Sequence, residues 1–457
     1  MSKTVMVSLL AGAAIPLGSA AAAYTTPDEV RAIVAEALSD AQTRSSLLQS
    51  GASVGHDGRS FFIGDASGNF RLEIGGLVQT RYTMNFRDSK GDAQGRDFDS
   101  GFSIARSQLS FAGHVVNPNL FYGIKAEFNG DDIDNGDFNL RDAFLGYRWD
   151  NGWQIKFGQF RTRFLQEDNI LDEFQLAAER SLTNAFFRQG ESQGIELGYL
   201  QEDFRIFLAF TDGFRSRNTQ FTEGKTLFSP EFDPITGDLT TGFDSAIGSG
   251  EADLAFTARA DIKFSGMWDQ FDSFTSMPGS GDAMAMMLGL AAHYEYTDGD
   301  RVTGGATGDA WYFSATADFT IQGDGWNFFV AGVWGHSDVS SVITNEITGD
   351  TSSFEFDDFG VVVQGGIFIP DTDWEVFARY DVIFLDNDRF TSGDDNFSTI
   401  TVGTNWYWAG QAAKFTFDLQ WFIDEATALT QDNAQVGYFR NTEKNQVALR
   451  FQFQLLF

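Results

Sequence analysis

One pattern restricts this chain more than any other: from Phe70 onward, apolar and polar side chains alternate with a period of two. Val447, Leu449, Phe451, Phe453, Leu455 and Phe457 interleave with Gln446, Arg450, Gln452 and Gln454. The same alternation runs through Leu72, Ile74, Val78, Tyr82 and Met84, through Phe256 to Phe264, and through Phe415 to Trp421. Successive side chains of a strand point to opposite faces, so each segment has one oily and one wet side. About sixteen such segments follow one another to Phe457. No uninterrupted apolar run of about 18 residues lies in the body of the chain, which excludes a bundle of membrane helices. The 42% hydrophobic content also excludes a disordered chain. An open sheet edge in hydrocarbon leaves backbone groups unpaired at several kcal/mol each, so strands that span lipid must close on themselves. The expected fold is therefore all-β: a transmembrane antiparallel β-barrel of about 16 strands.

Connection lengths give an independent check. Short links rich in turn formers occur at Asn117-Pro118-Asn119, Asp150-Asn151-Gly152, Gln201-Glu202-Asp203, Gly323-Asp324-Gly325 and Pro370 to Asp373. Between them lie long polar segments: Ser89 to Ser100, Arg161 to Glu191, Asp212 to Gly250, Ser337 to Ser353, Asp386 to Asn396 and Asp424 to Lys444. Such barrels combine short periplasmic turns with long external loops. The link Ser265 to Asp282 breaks this scheme, because it should be a short turn and is long.

The first residues read differently. Lys3, an apolar stretch from Val5 to Ile15 and the small residues Ala21-Ala22-Ala23 predict a cleaved secretory signal over 1–23, which implies export across the inner membrane. Thr26-Pro27-Asp28-Glu29 opens a predicted helix over 24–49. Its narrow seam of Val30, Ile33, Val34, Ala37, Leu38 and Ala41 suits a short periplasmic coiled coil between subunits. Residues 50–69 read as a linker, and 70–457 as the barrel. The absence of Cys rules out disulfides and thiolate metal sites, and a net charge of -33 argues against a nucleic-acid partner. Trp149, Trp153, Trp311, Trp326, Trp374, Trp406, Trp408 and Trp421 fall near predicted strand ends, where interfacial belts place them.

Several ordered segments then resemble a family. Ile155-Lys156-Phe157-Gly158-Gln159-Phe160-Arg161, Glu179-Arg180-Ser181-Leu182 and Gly194-Ile195-Glu196-Leu197-Gly198 are similar to the phosphate-selective porin O/P family. Glu375 to Asp381, Gly403 to Tyr407 and Arg450-Phe451-Gln452 extend the resemblance. The resemblance implies a trimeric outer-membrane porin of sixteen strands whose third external loop, here Arg161 to Glu191, folds into the bore. Arg163 departs from it, standing where the family commonly has proline.

Function would then reside in charge along the lumen. By alternation Arg71, Arg81, Arg106, Lys125, Lys156, Arg205, Arg259, Lys263, Arg379, Lys414 and Arg450 face inward and form a candidate pore lining. Arg161, Arg163, Arg180 and Arg188 of the third loop, set against Glu167, Asp168, Asp172 and Glu173, are candidates for a field across a constriction. Lumenal Glu73, Glu127, Glu196, Asp261, Asp318, Glu375, Asp381 and Asp418 oppose a purely basic lining. The expected function is passive diffusion of small hydrophilic solutes or ions, anions such as phosphate among the candidates; the alternative is a structural or adhesive barrel with a plugged lumen. No enzyme motif marks His114 or His293, the two histidines that fall in predicted strands. No cofactor is expected. The acidic external segments, Asp131, Asp132, Asp134 and Asp137 above all, are a weak candidate for Ca²⁺, because Ile133 occupies a position that needs an oxygen ligand.

Overall fold

The computed structural model describes residues 51–56, 60–88, 97–128, 138–221, 224–226, 249–277, 284–303, 309–344, 351–386, 396–424, 436–439 and 444–457. The predicted signal, the N-terminal helix and Asp131 to Asp137 lie outside them.

Sixteen strands make the wall: β1 (Arg71–Phe86), β2 (Phe98–His114), β3 (Leu120–Glu127), β4 (Asn139–Arg148), β5 (Trp153–Arg161), β6 (Glu191–Leu200), β7 (Phe204–Thr211) and β8 (Leu254–Ser265) form the first half. The second half comprises β9 (Ala285–Thr297), β10 (Ala310–Gly323), β11 (Trp326–Thr344), β12 (Thr351–Phe368), β13 (Trp374–Phe384), β14 (Asn396–Gln411), β15 (Ala413–Phe422) and β16 (Gln446–Leu456). Each pairs antiparallel with the next. β16 returns to β1, with Phe451 opposite Tyr82 and Arg450 opposite Thr83, so the sheet closes. No helix among the described residues is long and apolar enough to cross a membrane. The segment read as a linker contains a short strand, Phe61–Gly64, which pairs with the start of β1.

Burial follows the predicted phase. Phe417 and Phe451 are exposed on the outer surface, while Asp418 and Arg450 beside them are wholly buried. Trp149, Trp153, Trp374 and Trp408 are exposed at the end of the barrel that carries the short turns, and Trp421 toward the other. A cation on the lipid face near mid-depth costs about 2–4 kcal/mol. Phe451→Arg should therefore lower the yield of folded, heat-resistant barrel in lipid by far more than Phe451→Leu; equal yields would place that face away from lipid.

Two details differ from the alternation reading. β11 and β12 run past the expected loop start at Ser337, so His336 lies within a strand, on the outer face beside Trp311 and Trp334. Asp357 is its acidic neighbour at 3.0 Å. The inner face also carries buried Phe207, Tyr312, Phe329, Val333, Val362 and Phe377 and is not uniformly polar. These apolar residues seat segments that fold inward from the loops.

Candidate functional site

The connection from β5 to β6 (L3) folds inward as expected, through α1 (Gln166–Asn169), a 3₁₀ turn at Asp172–Phe174 and α2 (Leu182–Phe187). Ser181 caps α2 by accepting a hydrogen bond from the Asn184 amide. Ile170, Leu176 and Ala177 of L3 pack with Phe329, Val362 and Phe377 of the wall. Phe164, Phe186 and Phe187 join a second cluster with Phe214, Tyr312 and Val333.

Polar wall residues then lace L3 down along its length. Arg81 donates to the Ala178 carbonyl (2.9 Å), Arg379 to the Glu179 carbonyl (2.9 Å) and Arg259 to the Phe164 carbonyl (2.7 Å). Lys414 donates to the carbonyls of Glu173 (2.9 Å) and Gln175 (3.1 Å). Asp418 accepts from the Ala178 amide (2.9 Å) and Asp381 from the Leu182 amide (3.0 Å). A backbone carbonyl or amide inside the barrel needs a partner, and the wall side chains supply it.

Most of the cations expected to line the pore take part in this lacing or in ion pairs of the wall. Arg81, Arg259, Arg379, Lys414 and Arg450 do point inward, but they are buried and act as anchors of L3 or of the wall. Arg450 pairs with Asp418 at 2.6 Å, and Arg259 with Asp318 at 2.8 Å and Asp261 at 2.8 Å. Lys156 is buried against Glu196 at 2.9 Å. Arg71 pairs with Glu73 and covers Phe62 at the short-turn end. Arg205 and Lys263 lie over the Trp268 ring. Lys125 sits opposite Asp142 in register. Of the eleven, Arg106 faces the cavity described next.

That cavity, about 220 Å³, lies between L3 and the wall of β2 to β4. Arg106, Arg141, Arg180, Arg188 and Arg217 line it, against Glu127, Asp172 and Glu179: five cations and three carboxylates, a balance of +2. Arg106 bridges Glu179 (2.8 Å) and Asp172 (3.4 Å), and Arg180 also pairs with Asp172. Arg141 bridges Glu127 (3.1 Å) and Glu191 (2.9 Å). Arg217 approaches Glu191 at 3.9 Å, and the Arg188 Nε has no hydrogen-bond partner among the described residues.

The other L3 candidates serve the loop itself. Arg161 donates to the Asp168 carbonyl and pairs with Glu191. Arg163 lies over Phe207, 3.8 Å from Glu196. Glu167 accepts from the Ser181 amide at 2.7 Å and faces Arg379 at 3.5 Å. Asp168 and Glu173 are buried. Acids and arginines are interleaved around the cavity, with Arg106, Arg141 and Glu127 on the wall and Arg180, Arg188, Asp172 and Glu179 on L3.

Three charged lining residues escaped the sequence reading. Arg141 is the extra residue of a bulge, since Lys125 pairs with Asp142 and Ala126 with Leu140; strict alternation from the outward Leu145 turns it toward lipid. Arg217 comes from the β7–β8 loop, where alternation says nothing. Glu179 stands within the Glu179-Arg180-Ser181-Leu182 motif, which was its available signal.

Charge stabilises the L3 acids. Burial alone raises the Asp172 carboxyl, but Arg106, Arg180, Lys125 and Arg161 more than reverse this and hold it well below the usual carboxylate range. Glu179 is likewise raised by burial and brought far down by Arg106 and Arg81. Groups with lowered values contribute stability above their unfolded values and lose it only as pH falls through the lowered ones. Lowering the pH from about 7 to about 4, the top of the ordinary carboxylate range, should therefore leave the Asp172 and Glu179 attachments of L3 intact. The check is open-channel noise, which should not rise over that interval; a rise would show these acids titrating normally.

Comparison with known proteins follows this geometry. Residues 78–231 match the family described as phosphate-selective porin O and P. The match covers about a third of the chain, and the closed sixteen-strand barrel is similar in fold to solved outer-membrane porins. The outer membrane channel DcaP of Acinetobacter baumannii is similar over 85% of this chain and 98% of its own, with a TM-score of 0.53 and 14% identity. OmpT of Vibrio cholerae gives 0.53 at 10% identity, over 85% of this chain and 98% of its own. An anion-selective porin from Comamonas acidovorans gives 0.52 at 12% identity, over 84% and 99%. At these identities the likeness establishes the fold. No curated protein matches the sequence. The motifs from Ile155 to Gly198 lie inside the matched segment, and those from Glu375 onward lie beyond it.

Proposed function

We propose that this porin is a passive channel favouring small anions, oxoanions such as phosphate among them, and that it assembles as a homotrimer in the outer-membrane lipid. The observation that carries the anion preference is the cavity lining of five arginines against three carboxylates, with the Arg188 Nε unpartnered among the described residues. Cations placed where the passage narrows lower the barrier for anions and raise it for cations. The anion-selective Comamonas porin shares the fold, and the matched family is described as phosphate-selective.

Measurement of the reversal potential across a salt gradient in a planar bilayer tests this reading: current should be carried mainly by chloride, and inorganic phosphate should reduce it. A preference for cations would overturn it. A silent protein with intact oligomers would favour the plugged barrel, which the packing of L3 and Phe214 into the lumen makes a specific rival. The reading invokes no catalysis. Thr257, His293 and Glu295 do form a hydrogen-bonded line, with Thr257 Oγ1 2.8 Å from His293 Nδ1. All three are buried, and Lys225 holds Glu295 at 2.6 Å, so we read them as packing that joins loop to wall.

A further inference from the structure

The long connection after β8 does not hang below the barrel. Gly266 has φ +87°, and a Cβ there would sit 2.4 Å from the Ala285 Cβ, so only glycine permits this bend. A 3₁₀ helix, Trp268–Asp272, follows, held at the rim by Arg205, whose guanidinium lies 3.9 Å from the Trp268 ring centroid. Beyond it Phe271, Phe274, Thr275 and Ser276 are all buried.

The buried residues reach across the barrel mouth. Asn327 of β11 donates to the Phe274 carbonyl and to Ser276 Oγ. The Ser276 amide donates to Glu375 of β13 at 2.6 Å, and Gln411 at the end of β14 donates to Thr275 Oγ1 at 2.6 Å. The segment thus forms a chord from β8 to β14. Its upper side meets L3: the Phe274 amide donates to the Phe174 carbonyl (3.1 Å), and Gln166 of α1 donates to the Phe271 carbonyl (3.1 Å). The Phe274 ring joins Ile170, Leu176 and Phe329 in one apolar cluster, 4.7 Å from the Phe329 centroid.

We propose that residues 266–277 are a second element of the constriction, a sill that enters from the short-turn side, supports L3 from beneath and limits the bore. A short hairpin would suffice to join β8 to β9. Instead this link spends buried hydrogen bonds and an aromatic side chain on L3 and on strands far along the wall, which a mere connection does not need.

The test uses two variants of the full chain: replacement of residues 266–284 by Asn-Gly, a sequence suited to a tight hairpin turn, and the milder Phe274→Ala. The chain lacks cysteine, so Leu176→Cys, placed where Leu176 is 2% exposed, reports the seating of L3 through its reaction with a small charged methanethiosulfonate. Labelling should be slow in the otherwise native background and rise about tenfold or more in either variant, as L3 opens locally. Unchanged labelling in both variants overturns the inference. This readout needs no ion current, so it stands apart from the channel reading on which the bore limit rests. If the native protein conducts, the hairpin variant should pass about twice the current or more, since the narrowest section dominates resistance; equal current through both would refute the limit on the bore.

Discussion

Arg188→Glu with Arg217→Glu should reverse the proposed anion preference of the channel and make it cation-preferring. The cavity holds five arginines and three carboxylates; the double substitution leaves three arginines and five carboxylates, moving the balance from +2 to -2. These two positions are chosen because their native attachments are weak. Arg217 approaches Glu191 only at 3.9 Å, and Arg188 Nε has no hydrogen-bond partner among the described residues. Arg106 and Arg141, by contrast, each bridge two carboxylates, and their loss would leave buried charges unbalanced. The reversal potential in a salt gradient should therefore change sign while the barrel stays folded. A double variant that keeps the native sign would remove this cavity from the permeation path.

The second large effect concerns stability. Arg450 and Asp418 face each other across β16 and β15 at 2.6 Å, both wholly buried, and Asp418 also accepts from the Ala178 amide of L3. Arg450→Met leaves Asp418 as an uncompensated buried charge, a change that costs about 3–5 kcal/mol where such pairs are broken. The urea midpoint of the refolded barrel should fall accordingly. Arg450→Met with Asp418→Leu should recover much of the loss, because no lone charge then remains, while still giving up the attachment at Ala178. If the single variant proves as stable as the native chain, water reaches this pair and the tight packing of L3 is wrong.

Both expectations depend on knowing which inward cations touch solute and which hold structure. Alternation cannot tell them apart. Arg106 and Arg450 have the same phase with respect to the wall, but Arg450 is buried against Asp418 and the Val436 carbonyl of the last loop, while Arg106 lies beside the cavity. What decides is the course of a loop whose own residues, Ile170, Leu176, Phe186 and Phe187, find inward apolar partners on distant strands. Arg141 was hidden for a different reason: one inserted residue in β4 reverses the phase of everything before it. The link after β8 was conspicuous in length alone, and its direction rests on contacts with β11, β13 and β14.

The amino-acid sequence by itself determined the wall. Lipid outside and water inside impose a two-residue period on every crossing strand, and the backbone's need for hydrogen-bond partners in hydrocarbon demands closure; both requirements are local and can be read strand by strand. Only the tertiary structure decided how the interior is furnished. Whether a lumenal cation meets solute or a loop carbonyl depends on residues hundreds of positions away, as with Lys414 and Glu173, and no local pattern encodes a contact between segments that meet only after the barrel has closed.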